Sequence, residues 1–294
     1  MYQYSSGEKL LQLCHDQGKD IAEIAIIAEV ENSGNQKEQI IDWLKDQIQV
    51  MGDSIKKGLA QDIKSIGGLI GGNACKLQKR LESGDTFCGA VMLKSISYAL
   101  AVTEVNAAMG RVVAAPTAGA SGIIPGVLIA LQEEKAYTDE EILHAFIVSG
   151  AIGKIIATNA TLSGAEGGCQ AECGSASAMA AAAAVYLNGG GPEQCLDAAA
   201  MALKGLLGLV CDPVAGLVEV PCSKRNASSV ANALACAEMA LAGITSFIPF
   251  DEVVEAMFKV GNMMSPALRE TAGGGCADTA TARNYSRMLH ERRD

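Results

Sequence analysis

Hydrophobic residues recur along most of this chain at the spacing of an α-helix. Between residues 36 and 62, the apolar positions that form one stripe are Ile40, Ile41, Leu44, Ile48 and Met51, and charged residues occupy the opposite face. The same kind of pattern predicts further helices over residues 7–17, 20–31, 86–110, 127–134, 138–156, 175–187, 193–207, 227–242 and 251–264, and a last one after Cys276. Only residues 208–220 approach the period of a strand, and their prolines argue against one. The pattern therefore predicts an all-α fold.

Glycines divide the predicted helices and give the chain its loops. Two pairs, Gly67-Gly68 and Gly71-Gly72, predict a joint near residues 67–73 that could set apart a small N-terminal portion. The length of 294 residues allows one large domain. We expect a single helical catalytic domain over residues 1–294, with glycine-rich loops that carry the functional residues.

Composition and charge limit the partners and the compartment. The formal net charge is −10, which argues against a nucleic-acid partner because phosphate binding requires clustered Lys and Arg. The nearest approach to a membrane span is residues 174–188, which are mostly alanine and too short. Residues 1–9 contain no apolar signal run, so we expect a cytoplasmic protein whose ten cysteines are reduced.

Four cysteines differ from the rest because they stand beside glycines and prolines in predicted loops: Cys169, Cys173, Cys211 and Cys222. With no histidine nearby, thiolate-only ligation suits a soft metal, either zinc or an iron–sulfur cluster. Zinc usually takes paired C-x-x-C knuckles, which are absent here. A [4Fe–4S] cluster on three thiolates would leave one iron open to act as a Lewis acid. Spacing by itself leaves both choices open.

The remaining cysteines are expected to behave mostly as small buried hydrophobes. They are Cys14, Cys75, Cys88, Cys195 and Cys236, whereas Cys276 lies in a glycine loop and is left undecided.

An uncharged loop of small residues and hydroxyls runs from Pro116 to Gly126 and leads into a predicted helix. Its backbone N–H groups could approach a carboxylate or a phosphate at the start of that helix. A tight turn between two packed helices explains the same residues equally well.

Three stretches of this sequence resemble the iron–sulfur-dependent L-serine dehydratases, and in particular the α subunit of the two-subunit type. The stretches are Thr103 to Gly122, Gly164 to Gly174 and Leu209 to Cys222, and the resemblance extends over nearly the whole chain. It implies that Cys169, Cys211 and Cys222 hold a [4Fe–4S] cluster, with Cys173 beside the cluster and not bound to it. It also implies a separate regulatory β subunit with an ACT-like module.

The reaction that the resemblance implies is conversion of L-serine to pyruvate and ammonia, with the serine hydroxyl bound at the open iron. Lys224 and Glu166 are the candidates for the base, although for Lys224 we favour the role of a charge that balances the thiolates. The substrate carboxylate is expected at the loop that contains Thr117, Gly119, Ser121 and Gly122. Asn226 is a candidate for contact with the amino group or a cluster sulfide.

Three other functions remain possible at this stage. An L-cysteine desulfidase would use a related cluster to eliminate sulfide, and a non-catalytic iron–sulfur protein would use the cysteines for sensing or electron transfer. A pyridoxal phosphate enzyme would need a Schiff-base lysine, and none stands in a recognisable context. The matched stretches favour the serine enzyme.

Overall fold

A computed structural model describes residues 2–60 and 63–291 of the chain. Within these residues the fold is all-α, as the hydrophobic periodicity predicted. The helices are α1 Gly7–Gln17, α2 Ile21–Ser33, α3 Lys37–Ala60, α4 Asn73–Glu82, α5 Ala90–Ala107, α6 Ile123–Lys135, α7 Asp139–Asn159, α8 Gly164–Gly167, α9 Ser175–Leu187, α10 Pro192–Gly205, α11 Cys222–Leu241, α12 Phe250–Met263 and α13 Ala280–Glu291. The β-pairing in this part of the chain is a single parallel bridge between Cys211 and Arg269.

The alanine-rich helix α9 lies at the centre of the core. Residues Ala180 to Ala183 are fully buried, and α9 packs against α6, α7, α10 and α11. Side chains of one carbon let these helices approach closely, which explains how a chain with 4% aromatic residues fills its interior. The central helix therefore forms a rigid support for the loop that precedes it.

One helix of the described residues, α7, is long and apolar enough to cross a membrane by length and composition. The sequence analysis had instead taken residues 174–188 as the nearest approach to a span. In the structure, 61% of the apolar window of α7 is buried inside the protein, where it packs against α2 and α9. The interior helix of a globular protein has the same apolar character on nearly all sides.

No helix was predicted over Asn73–Glu82, where the structure has α4. Among the longer helices that were predicted, the largest difference is at α11, which begins at Cys222 and not at residue 227. Pro221 precedes the first residue, and the peptide bond before it is cis. The polar run after Cys222 looked like a loop, yet it forms the first helical turn because its side chains bind backbone groups. Similarly, α6 begins at Ile123 and not at residue 127. Pro125 falls in the first turn of this helix, where a proline is tolerated because the N–H groups there have no partner in the helix.

The predicted joint near residues 67–73 lies between α3 and α4 and is bonded to the segment before Cys222. The buried carboxylate of Glu219 accepts hydrogen bonds from Ser65 Oγ at 2.5 Å, Gly67 N at 2.6 Å and Leu69 N at 2.9 Å. This loop is therefore held against the segment that leads into α11. Residues 61 and 62, the end of the predicted helix over 36–62, lie outside the described residues.

Candidate metal centre

Three of the four loop cysteines reach one place from three separate segments. Cys169 precedes a π-helical turn that leads into α9, Cys211 lies in the extended segment after α10, and Cys222 is the first residue of α11. Cys169 and Cys211 are 3% and 4% exposed. The thiols are close enough for the charge of Cys169 to raise the pKa values of Cys211 and Cys222. The packing therefore brings together the three residues for which the resemblance implied a shared role.

Gln170 connects the first of these segments to the second. Its backbone N–H donates to Leu209 O at 2.9 Å, and its side-chain oxygen accepts from Gly208 N at 2.9 Å. Its side-chain nitrogen donates to Gly167 O and Met257 O, both at 2.9 Å. Every polar atom of this fully buried side-chain amide is thus hydrogen-bonded. These bonds hold the turn at Cys169 against the segment that leads to Cys211.

The fourth cysteine, Cys173, lies in the π-helical turn behind Cys169. The sequence analysis placed it in a loop, but the turn is wound and continues directly into α9. A hydrogen bond between the two side chains lowers the pKa of Cys169 and raises that of Cys173, whose complete burial raises it further. The two sulfurs are therefore neighbours inside the protein, and burial favours the thiol form of Cys173. Insertions of π type are frequent at functional sites.

Burial dominates the acid–base behaviour of the other two thiols. It raises the pKa of Cys222 to about 12, against the opposing effect of the Arg225 charge, and it also raises the pKa of Cys211. Both groups are therefore thiols at neutral pH in the protein alone. A metal that binds them must displace their protons.

A buried ion pair joins the Cys211 segment to α11. Arg225 Nη1 lies 2.6 Å from Asp212 Oδ1 and donates to Val210 O at 2.7 Å. The second oxygen of Asp212 accepts from Cys276 N at 2.5 Å, which attaches the loop before α13. The Arg225 charge also lowers the pKa of Cys169. This cation is the nearest compensation for negative charge on the thiolates.

Glu172 is a functional candidate that the sequence analysis did not select. Its Oε1 accepts from Thr117 Oγ1 at 2.7 Å, and its Oε2 lies 3.8 Å from Cys211 Sγ. Burial raises the pKa of this carboxyl, and the charge of Glu270 adds to the effect. The sequence did contain a signal for this residue. Glu172 stands within a run of glycines, alanines and cysteines, which are mostly buried residue types, and an acidic side chain is rarely buried without a partner.

The loop over residues 117–122 lies directly against the first turn of α11. Asn226 Nδ2 donates to Gly119 O at 2.7 Å, and Asn226 Oδ1 accepts from Gly122 N at 3.1 Å. Asn226 also donates to Cys222 O at 3.0 Å, so it binds the loop and a cysteine together. The Ser121 hydroxyl is buried and has no hydrogen-bond partner among the described residues. The structure thus brings Thr117, Gly119, Gly122 and Asn226 to one place beside the cysteines.

The two candidates for the base, Lys224 and Glu166, are placed differently. The Lys224 side chain is exposed, and the charged groups that alter its pKa are Glu104, Lys76 and Glu219, while partial burial lowers that pKa. Glu166 is exposed on α8 and accepts from Thr161 Oγ1 at 2.5 Å. Neither residue has a hydrogen bond to the cysteines in this structure.

The surroundings of the cysteines fit a thiolate-bound group larger than one ion. Among residues 2–60 and 63–291, no three His, Cys, Asp or Glu side chains converge as they would around a single metal ion. A cluster separates its thiolates more widely than one ion does. Two glycines keep the space clear: a Cβ on Gly164 would lie 2.6 Å from Glu172 Oε2 and 3.0 Å from Cys211 Sγ, and one on Gly119 would lie 2.8 Å from Glu172 Oε1. A donor set that consists of thiols alone fits a thiolate-bound iron–sulfur cluster.

Comparison with known proteins gives one consistent result. A family model described as "Serine dehydratase alpha chain" matches residues 16–277. The chain is 48% identical over 282 residues to "Probable L-serine dehydratase, alpha chain" of Bacillus subtilis, which covers 96% of this chain and 94% of that protein. It is 45% identical over 283 residues to "L-serine dehydratase, alpha chain" of Peptoniphilus asaccharolyticus, with 96% and 97% covered. An "L-serine dehydratase" of Streptomyces coelicolor is 38% identical, and the match covers 94% of this chain but 61% of that protein.

Proposed function

Because this chain belongs to the serine dehydratase alpha chain family, we propose that it is the α subunit of an L-serine dehydratase, a lyase that converts L-serine to pyruvate and ammonia. The relatives that match over nearly their whole length are named for this activity. The observation that carries the proposal is the meeting of Cys169, Cys211 and Cys222 beside Glu172 and the 117–122 loop.

We propose that Cys169, Cys211 and Cys222 hold a [4Fe–4S] cluster. When it is bound, a cluster with three protein thiolates supplies an open iron that can act as a Lewis acid toward the substrate hydroxyl. The wholly sulfur donor set, the clearance at Gly164 and Gly119, and the Arg225 cation beside the thiolates all support this assignment. Cys173 lies beside Cys169 and has no place in the ligand set of this proposal.

The chain's own residues would bind the amino acid and receive its Cα proton. We propose that Glu172 Oε2 accepts this proton, because Oε1 is already bonded to Thr117 and Oε2 faces the cysteines. The raised pKa of Glu172 makes its carboxylate a stronger base toward a weakly acidic C–H group. Lys224 and Glu166 remain candidates, but both side chains are exposed, and Glu166 is bonded to Thr161.

The 117–122 loop is proposed to bind the substrate carboxylate. The N–H groups of Ala118 and Gly119 begin a 3₁₀ turn, where no partner exists within the turn. The buried hydroxyl of Ser121 has no hydrogen-bond partner among the described residues, and a substrate carboxylate oxygen could accept a hydrogen bond from it. Asn226 and Gly122 bind each other, so in this proposal they maintain the loop's shape and do not contact the substrate.

We further propose a separate β subunit with an ACT-like module. Two relatives that this chain matches over 94% and 97% of their length are named alpha chains, and about two-fifths of the Streptomyces coelicolor protein lies outside its match to this chain. A longer relative could contain within one chain what the alpha-chain proteins obtain from a partner.

The test is to purify the protein without oxygen and to measure iron, acid-labile sulfide and the visible spectrum together with turnover of L-serine and L-cysteine. We expect about four irons and four sulfides per chain, pyruvate formed from L-serine, and loss of activity in air. Sulfide released from L-cysteine in preference to pyruvate from L-serine would indicate the desulfidase instead. Full activity after prolonged aeration and chelation would contradict the cluster.

A further inference from the structure

An open cavity lies on the side of α8 that carries Glu166. Its volume is about 460 Å³, within the range of roughly 300–1,000 Å³ that small-molecule sites occupy. It is lined by residues of α8, α12 and the segment over residues 265–271. The side chains that give it chemical character are Thr161, Glu166, Phe258, Asn262, Arg269 and Thr271.

Arg269 supplies a positive charge whose donors are incompletely used. Its Nη1 donates to Glu166 O at 3.3 Å, while its Nε is buried and has no hydrogen-bond partner among the described residues. No carboxylate within that part of the chain forms an ion pair with it. A buried donor left unpaired costs about 1–3 kcal/mol. The guanidinium group pairs well with a planar anion such as a carboxylate, which would accept from its terminal nitrogens.

Glu166 supplies the opposite charge in the same cavity. Its Oε2 accepts from Thr161 Oγ1 at 2.5 Å, and its Oε1 has no hydrogen-bond partner within the described residues. The ammonium group of a ligand could donate a hydrogen bond to Oε1 and balance the negative charge of Glu166. The walls therefore offer one cationic group, one anionic group and neutral hydrogen-bonding side chains, a combination that matches both ends of a small zwitterion.

This cavity is distinct from the cysteine site because different residues of α8 face the two sites. Gly164 faces Cys211 and Glu172, whereas Glu166 is two residues further along the same turn. Side chains two positions apart on a helix point to different faces. A ligand at Glu166 and Arg269 would thus leave the cysteines untouched.

We propose that this cavity binds a free α-amino acid as its zwitterion, with the carboxylate on Arg269 and the ammonium on Glu166. The backbone of Arg269 pairs with that of Cys211, and Glu166 is three residues before Cys169. Occupancy would restrain both cysteine segments at once, so the site suits an effector and needs no cluster in order to bind.

The probe is L-alanine, which has both charged ends but no hydroxyl to eliminate. Isothermal titration calorimetry on the full chain, purified without oxygen, should show binding of L-alanine and no binding of propionate or ethylamine, which each carry one end. Arg269→Met and Glu166→Gln should each weaken L-alanine binding at least tenfold. The matched controls Arg80→Met and Glu82→Gln, at exposed positions on α4, should leave it within twofold.

A second variant at Arg269 tests whether weaker binding reflects a loss of folding. Arg269→Lys keeps the charge and loses the planar fork, so we expect an intermediate weakening with an unchanged far-ultraviolet circular dichroism spectrum. Undiminished binding in both Arg269 variants would overturn the proposal. So would binding that persists in them but disappears in Cys211→Ser, because the amino acid would then occupy the cysteine site. Absence of iron and of serine turnover, with alanine binding intact, would refute the dehydratase assignment and leave this site standing.

Discussion

The guanidinium of Arg225, on the first turn of α11, lies 2.6 Å from the buried carboxylate of Asp212, which directly follows Cys211. Because Arg225 is three residues after Cys222, this one contact sets the relative position of two proposed cluster ligands. Asp212 is 2% exposed, so neither water nor another side chain could replace the cation. Breaking a buried pair from one side leaves an uncompensated charge.

Arg225→Gln should destabilise the protein by roughly 3–5 kcal/mol, because Asp212 would remain buried without its cation. Urea unfolding followed by circular dichroism measures this loss. The control is Arg283→Gln, which breaks an exposed pair with Asp278 and should cost less than about 1 kcal/mol. Equal effects of the two substitutions would show that the Asp212 pair does not link the segments.

Gly164→Ala should disturb the cysteine site, since the new methyl carbon would lie 2.6 Å from Glu172 Oε2 and 3.0 Å from Cys211 Sγ. We expect a cost of about 1–3 kcal/mol in the free energy of unfolding, together with less iron per chain after anaerobic purification.

The matched control for Gly164 is Gly150→Ala in the middle of α7. A Cβ there has no atom within 4 Å, so this change should stabilise the helix by about 0.5–1 kcal/mol and leave the iron content unchanged. If Gly164→Ala behaved like Gly150→Ala, the space between Glu172 and Cys211 would have no role.

The cysteines should separate into two classes when each is replaced by serine. Cys169→Ser, Cys211→Ser and Cys222→Ser should each abolish iron binding and serine turnover, because each removes a proposed ligand. Cys173→Ser should retain part of the iron, since Cys173 is not one of the three proposed ligands. Iron and sulfide analysis with the visible spectrum distinguishes the classes. Total loss of iron in Cys173→Ser would make Cys173 a ligand in its own right.

The pH dependence of stability should contain a contribution from Glu104, a fully buried carboxyl on α5. It accepts from Asn73 N at 2.7 Å at the start of α4, and burial raises its pKa. The unfolded pKa is about 4.3, so the folded state binds the proton more tightly than the unfolded state does. The stability that this proton provides is present below about pH 4.3 and is lost as the pH rises through the folded pKa.

Glu104→Gln carries no titrating group and keeps an acceptor for Asn73, so it should lack this loss. The free energy of unfolding of the variant, minus that of the natural protein, should increase between about pH 4 and neutrality. Chemical unfolding at a series of pH values measures this difference. A difference that stays constant with pH would show that Glu104 ionises alike in both states.

Several features of the fold could be predicted from local pattern alone. The 3.6-residue period of apolar positions predicted nearly every helix, because a helix that buries one face must repeat its apolar residues at that spacing. Helix ends were less accessible to such reasoning. The polar residues after Cys222 resembled a loop, since their bonds to Val210, Gly119 and Gly122 connect to segments distant in the chain.

The site was only partly predictable for the same reason. The composition around Cys169, Cys211 and Cys222 indicated a thiolate site, and Lys224 and Glu166 were chosen as candidates by nearness along the chain. Glu172, which lies beside Cys211 in the structure, was not among the candidates. Glu172 acquires its position from a π-helical turn and from Thr117, which is 55 residues away. No spacing rule connects residues that far apart.

The order of amino acids by itself determined the helical class and the family of this protein, since each depends on residue types at short spacing. Tertiary structure alone decided which carboxylate stands beside the cysteines and which charges line the cavity at α8. Those outcomes depend on how α8 to α12 pack around the alanine helix α9, and burial in that packing sets the ionisation of each group.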